Sequence, residues 1–204
     1  HAALTQTDYH VGLIRKAIKD AGLEDKTTFL IVADHGFHTV TRQVNIYPLV
    51  KASGLANKIK LHGSGWSIFL ETTEAFSKKQ DSAALNILFA KLLKTQGLYR
   101  VINNDEFTAM GYPRYEENPY VLGQYIIVPD INTYLVVDTL SASVRPQSRP
   151  PSHSHGYLPE HPRMFPALVL SGNGIRKGQR IGYVNNKDVA PTIANILGFS
   201  MAHV

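Results

Sequence analysis

The stretch from Thr27 to Gly36 reads Thr-Thr-Phe-Leu-Ile-Val-Ala-Asp-His-Gly. From Thr28 to Ala33 it carries no charge and is mostly β-branched or large and apolar. Such a run is the pattern of a strand buried on both faces, as in a parallel sheet covered by helices. It stops at Asp34 and His35, with Gly36 after them. An acid and an imidazole side by side at the carboxyl end of a buried strand sit where open α/β sheets place their ligand sites. Both side chains can bind a divalent metal, and Gly36 permits a tight turn that aims them together. The competing reading is an Asp turn cap beside an exposed His, and the tripeptide alone does not separate the two.

The flanking sequence supplies the α/β alternation. Leu4, Val11, Ile14, Ile18 and Ala21 recur at helical spacing, so residues 4–21 read as a helix ended by Gly22. Residues 44–53 read as a short helix with Pro48 in its first turn, and 66–70 as a strand. Residues 83–94 form an amphipathic helix with Leu85, Leu88, Phe89, Leu92 and Leu93 on one face. A short strand is expected at 99–102 and a helical turn at 105–110, followed by an exposed loop over 112–124. Strands at 125–128 and 133–137 flank a Pro-Asp-Ile-Asn turn. The Pro-rich stretch 141–154 reads as the longest loop. A strand at 165–170, a Gly-Asn-Gly turn and a final helix from about Asp188 to Leu197 complete the chain. Trp66 is placed in the core, and His38, His62 and His153 at the surface.

Composition narrows the chemistry. The chain has 204 residues, 44% of them hydrophobic and 18% charged, enough for a sizeable core. With no cysteine, a metal must be held by His, carboxylate or hydroxyl oxygen. The net charge of +5 suits a small anionic substrate or simply a basic surface. No Lys/Arg block or nucleic-acid motif is present, so nucleic acid is not the expected partner. No apolar run reaches the roughly 18 residues of a membrane span. The opening His-Ala-Ala-Leu-Thr-Gln lacks the charged and apolar regions of a signal peptide.

Three segments together carry a resemblance: Ile31-Val32-Ala33-Asp34-His35-Gly36-Phe37; His155-Gly156-Tyr157 with the later strand-turn 168–175; and Asp188-Val189-Ala190-Pro191-Thr192 leading to Gly198. In this order they resemble the alkaline phosphatase superfamily, and within it the type I phosphodiesterase/nucleotide pyrophosphatase family. The resemblance implies an alkaline phosphatase-like α/β fold, with a mostly parallel sheet and helices on both faces, incomplete on its N-terminal side. Residues 1–204 would form the C-terminal part of one catalytic domain.

The resemblance also implies two divalent metal ions, zinc by donor type. Asp34 and His35 would ligate one, and His155 would help ligate the other. The implied reaction is hydrolysis of phosphodiesters or nucleotide pyrophosphates, small anionic phosphoester substrates. The family's Thr or Ser nucleophile and its remaining ligands are not identifiable in this chain, which alone is expected to be inactive. Thr5 and Thr7 lie on a predicted helix rather than at a strand end, and His1 has no acid before it. Alternatives are a sister hydrolase acting on phosphonates, phosphomonoesters or sulfate esters, and a non-catalytic domain retaining the fold. A periplasmic or secreted location is favoured by the resemblance; oligomeric state is left open.

Overall fold

A computed structural model describes residues 2–118, 121, 123–141 and 147–201. In chain order the elements are α1 (Ala2–Asp20), β1 (Thr28–Val32), β2 (His38–Asn45), α2 (Tyr47–Ala52), β3 (Ile59–His62) and β4 (Ile68–Thr72). They continue with α3 (Lys78–Leu93), β5 (Leu98–Asn103), α4 (Asn104–Ala109), β6 (Tyr125–Pro129), β7 (Thr133–Val136), β8 (Gln147–Ser154), β9 (Leu168–Gly172) and α5 (Val189–Ile196). The chain divides into two compact units, residues 1–34 with 166–204, and residues 35–165.

In the first unit β1 pairs antiparallel with β9, Leu30 opposite Leu170. The pairing is closed by the turn after β9. Asn173 N–H donates to Thr27 O at 2.9 Å, and the Thr28 hydroxyl donates to Asn173 O at 2.7 Å. Gly172 is required there, because a Cβ at that position would lie 2.2 Å from Thr27 O. The pattern of β1 predicts burial on both faces, but Ile31 and Val32 are 38% and 47% exposed. A two-stranded sheet cannot cover both faces of either strand.

The second unit holds two sheets. One has the order β3-β4-β6-β5, all antiparallel; the other is β7-β2-β8, in which β2 runs parallel to β7 and antiparallel to β8. The α/β class is therefore as expected, while the mostly parallel strand order is not: among the described residues β2–β7 is the one parallel pairing. Short connections such as β3–β4 return the chain beside itself, which favours antiparallel neighbours. The strands β6 and β7, expected to face each other across Pro-Asp-Ile-Asn, lie in different sheets. Helix α3 packs Leu85, Leu88 and Leu92 into a core with Ile68, Leu70 and Ile127 of the sheet and Val44 of β2. Each such side chain contributes about 1.5–3 kcal/mol by burial. Leu93, placed on that face by periodicity, is 50% exposed.

The largest departure from the sequence pattern is β8. Its prolines indicate a loop, yet it is an edge strand, where a missing N–H is tolerated. Pro150 and Pro151 fall between the paired residues Ser148 and Ser152, where the β2–β8 register shifts. The bulge removes them from the ladder. Residues 142–146 of the expected loop lie outside the described residues.

The loop after α4 is anchored rather than free. Arg114 pairs with Asp105 at 2.9 Å, and Tyr115 O–H donates to Glu71 Oε1 at 2.9 Å. His62 Nε2 lies 2.8 Å from Glu71 Oε2, so β3, β4 and this loop meet at one carboxylate. The bond from His62, and after it that from Tyr115, holds the Glu71 carboxyl below its ordinary value. A carboxyl depressed in the folded state adds stability above its unfolded pKa, and the gain is lost as pH falls through the folded value. Glu71→Gln is therefore expected to flatten the acid limb. Melting followed by circular dichroism should show the wild type losing Tm more steeply than the variant on acidification, with the gap between them narrowing.

Candidate functional site

Two of the predicted site residues, His35 and His155, fall at one end of the antiparallel β2–β8 pair, and the third, Asp34, ends the first unit. Asp34 closes the first unit at the carboxyl end of β1, where its carbonyl accepts from Asn186 Nδ2 at 3.0 Å. His35 opens the second unit, just before β2, and His155 follows β8 directly. In the β2–β8 ladder His38 pairs with Ser154 and Thr39 with His153. Extending that register by one step sets Phe37 opposite His155, with His35 one alternation further along the same face. The rings meet accordingly. His35 and His155 stack at 3.8 Å between centroids and 5° between planes. Phe37 lies beside the stack with its ring roughly perpendicular to both, its centroid 5.1 Å from that of His35 and 5.3 Å from that of His155.

His35 is further fixed through its own ring. Nδ1 lies 2.9 Å from Gly36 O. A carbonyl only accepts, so Nδ1 carries a proton, and in the neutral ring the lone pair is then on Nε2. This is the tautomer a metal-ligating histidine takes when its other nitrogen is anchored. Gly36 serves the site differently from the sequence reading: it is not among the positive-φ glycines. It is needed because the chain passes close by. A Cβ at Gly36 would lie 2.0 Å from Arg163 O, and Gly36 N–H donates to Met164 O at 2.9 Å.

His155 is held from the opposite side. Tyr157, two residues on, is buried with Val40 and Met164, and its hydroxyl donates to Thr133 O at 2.9 Å. Between them Gly156 takes φ +85°. His153 is exposed and lies 3.3 Å from the Thr39 hydroxyl, outside the ring stack. His38 contacts Asn132 and His62 contacts Glu71, so neither joins the stack by these bonds. Trp66 is 38% exposed rather than in the core, and packs edge-to-face with Phe69 at 6.2 Å. Sequence reasoning missed Phe37, whose signal is its two-residue spacing from His35 in a strand-like segment.

The donors fit zinc in kind, being imidazole and carboxylate in a chain without cysteine. In number they fall short: among the described residues no cluster of at least three His, Asp or Glu side chains could hold a metal ion.

The family described as Type I phosphodiesterase / nucleotide pyrophosphatase matches residues 1–158. No curated protein matches. Among solved structures, human ectonucleotide pyrophosphatase/phosphodiesterase 5 is similar at 16% identity and TM-score 0.74, over 99% of this chain and 49% of that one. The murine protein, inactive and in complex with AMP, is similar at 18% identity and TM-score 0.73, over 98% of this chain and 48% of that one. Phosphonoacetate hydrolase from Sinorhizobium meliloti, in complex with phosphonoformate, is similar at 16% identity and TM-score 0.52, over 76% of this chain and 38% of that one. The chain thus spans about half the length of the first of these, at 49%.

The packing at Gly36 gives a direct test. Gly36→Ala should destabilise the full-length protein by about 1–3 kcal/mol, the usual effect of forcing a methyl into a filled space. Gly12→Ala, a helical site with nothing within 4 Å of the added Cβ, should instead stabilise it by about 0.5–1 kcal/mol. Urea denaturation of the two variants reads both signs.

Proposed function

We propose that this chain, which belongs to the type I phosphodiesterase/nucleotide pyrophosphatase family, is part of a metal-dependent hydrolase of phosphodiesters or nucleotide pyrophosphates. The observation that carries the reading is the His35–His155 stack, which brings together two residues far apart in sequence. Asp34, His35 and His155 are assigned as metal donors, the remaining donors coming from parts of the full-length protein outside this chain. A divalent metal bound there, zinc by donor type, supplies Lewis-acid stabilisation of charge on a phosphoryl oxygen. The chain's own residues orient the donors. The Nδ1–H bond to Gly36 O favours His35 Nε2 as the ligating atom, and the perpendicular Phe37 ring beside the stack limits the freedom of both histidines. The attacking Thr or Ser is assigned to the full-length protein outside this chain, so the 204-residue piece alone should show only background turnover.

The likeness to phosphonoacetate hydrolase keeps a second reading, a sister hydrolase acting on the phosphonate bond. A panel of a phosphodiester, a nucleotide pyrophosphate, a phosphonate and a sulfate ester separates the two by which substrate turns over.

In the full-length protein, Asp34→Ala and His155→Ala are expected to leave the fold intact by circular dichroism. Each should lower turnover at least ~100-fold, a ΔΔG‡ of about 2.7 kcal/mol. His153→Ala should change it less than ~3-fold. A sensitive His153 with a silent His155 would mean that the donor is two residues earlier. No turnover of any substrate by the wild type, with stoichiometric zinc bound, would favour a binding domain.

A further inference from the structure

We propose that Trp66 is a positioning residue for His155, acting through Gly156; the proposal rests on the assignment of His155 above. A Cβ at Gly156 would lie 2.8 Å from each of Trp66 Cγ, Cδ1 and Cδ2. Equal distances to three adjacent ring atoms place Gly156 over the face of the five-membered ring. The indole therefore forms a flat wall against the one backbone unit between His155 and the buried Tyr157.

The wall itself is held firmly. Gly65 and Leu135 exchange two backbone bonds, Gly65 N–H to Leu135 O at 2.7 Å and Leu135 N–H to Gly65 O at 2.8 Å. Gly65 sits so close to the Tyr134 ring that a Cβ there would lie 2.9 Å from it. On the other side of Trp66, Ser67 is 2% exposed and Ile68 is fully buried at the start of β4. The backbone on both sides of the indole is therefore fixed, although the ring itself is 38% exposed. An exposed tryptophan outside the buried clusters has little reason to be there as core.

Gly156 is the joint that most needs such a wall. Glycine reaches positive and negative φ with similar ease, so φ +85° is not secured by the residue itself. His155 is fixed on its N-terminal side by the Ser154–His38 pairing and two residues later by Tyr157. Rotation at Gly156 is the backbone freedom left between those two anchors, and it would shift the His155 ring on its stack with His35. The indole face blocks that rotation.

The test uses the full-length protein with Trp66→Ala, Trp66→Phe and His155→Ala. Trp66→Ala is expected to lower kcat about 10-fold with KM within about 2-fold, and Trp66→Phe, which keeps a flat face, to recover most of the loss. A second readout is independent of turnover. In metal-free protein the His155 Cε1–H signal, identified by its loss in His155→Ala, should shift in Trp66→Ala and return in Trp66→Phe. If Trp66→Ala does not fold, Trp66→Leu fills the space without a flat face and takes the same measurements. An unmoved His155 signal, or a kcat loss that Trp66→Phe does not relieve, overturns the proposal. A silent His155→Ala in turnover sinks the metal-site reading alone, and the NMR shift still decides the role of Trp66.

Discussion

The antiparallel pairing of β2 with β8 is the constraint on which the candidate site depends. It joins Thr39 to His153 across 114 residues of chain. Closing a loop of that length costs on the order of 4 kcal/mol by the logarithmic rule, before any constant. Strand β2 offsets this with fully buried Val40 and Val44, each worth about 1.5–3 kcal/mol. The two histidines are therefore brought together by core residues a few positions away, and their stacking is a consequence of strand register. A one-residue slip would turn the rings to opposite faces.

Register is fixed in turn by a polar group on the other side of β2. Arg42 donates from Nε to the Thr133 hydroxyl at 3.0 Å and from Nη2 to Asp130 Oδ2 at 2.9 Å. Thr133 donates its hydroxyl to Asp130 Oδ1 at 2.7 Å, and its carbonyl accepts from Tyr157. The Arg42–Asp130 pair is partly exposed, so its net energy is of the order of a surface pair, about 0–1 kcal/mol. Its importance is geometric. Thr133 is fully buried, and a shift of β7 along β2 would strand its polar atoms at the cost of unmade hydrogen bonds. The same residue receives Tyr157, so the strand that sets β2 also sets the segment carrying His155.

Much of this was legible in the sequence, and the failures have definite causes. Helices α1, α3 and α5 follow their apolar spacing, and β1 follows its uncharged run. Asp34, His35 and His155 were identified as candidates, and the two histidines do meet. Strand β2 was missed because Thr41, Arg42 and Gln43 interrupt its apolar residues, and their polar atoms find partners that only the tertiary fold supplies. Strand β8 was missed because its prolines argue against any strand except one at an edge with a bulge. Trp66 was misplaced because size and hydrophobicity predict burial, whereas its ring serves as a surface for a backbone it meets only in the folded state. Strand direction was inferred from a family pattern and from one uncharged run. Local sequence does not encode pairing partners that lie far away in the chain.

The dipeptide His-Gly explains why both rings can be held so closely. In His35-Gly36 and in His155-Gly156 the residue after the imidazole has no Cβ, and another group occupies the space. For Gly36 it is the main chain at Arg163, and for Gly156 the indole of Trp66. The two glycines differ in conformation, since Gly156 needs positive φ and Gly36 does not. What they share is close approach. A side chain at either position would push its neighbour away and loosen the histidine before it. Each ring is thus restrained through the peptide that follows it, and the His35 ring also through its Nδ1 contact with Gly36 O. For His35 that is the arrangement a donor atom requires, because the restraint acts through Nδ1 and the backbone, and in the neutral ring the lone pair is then on Nε2.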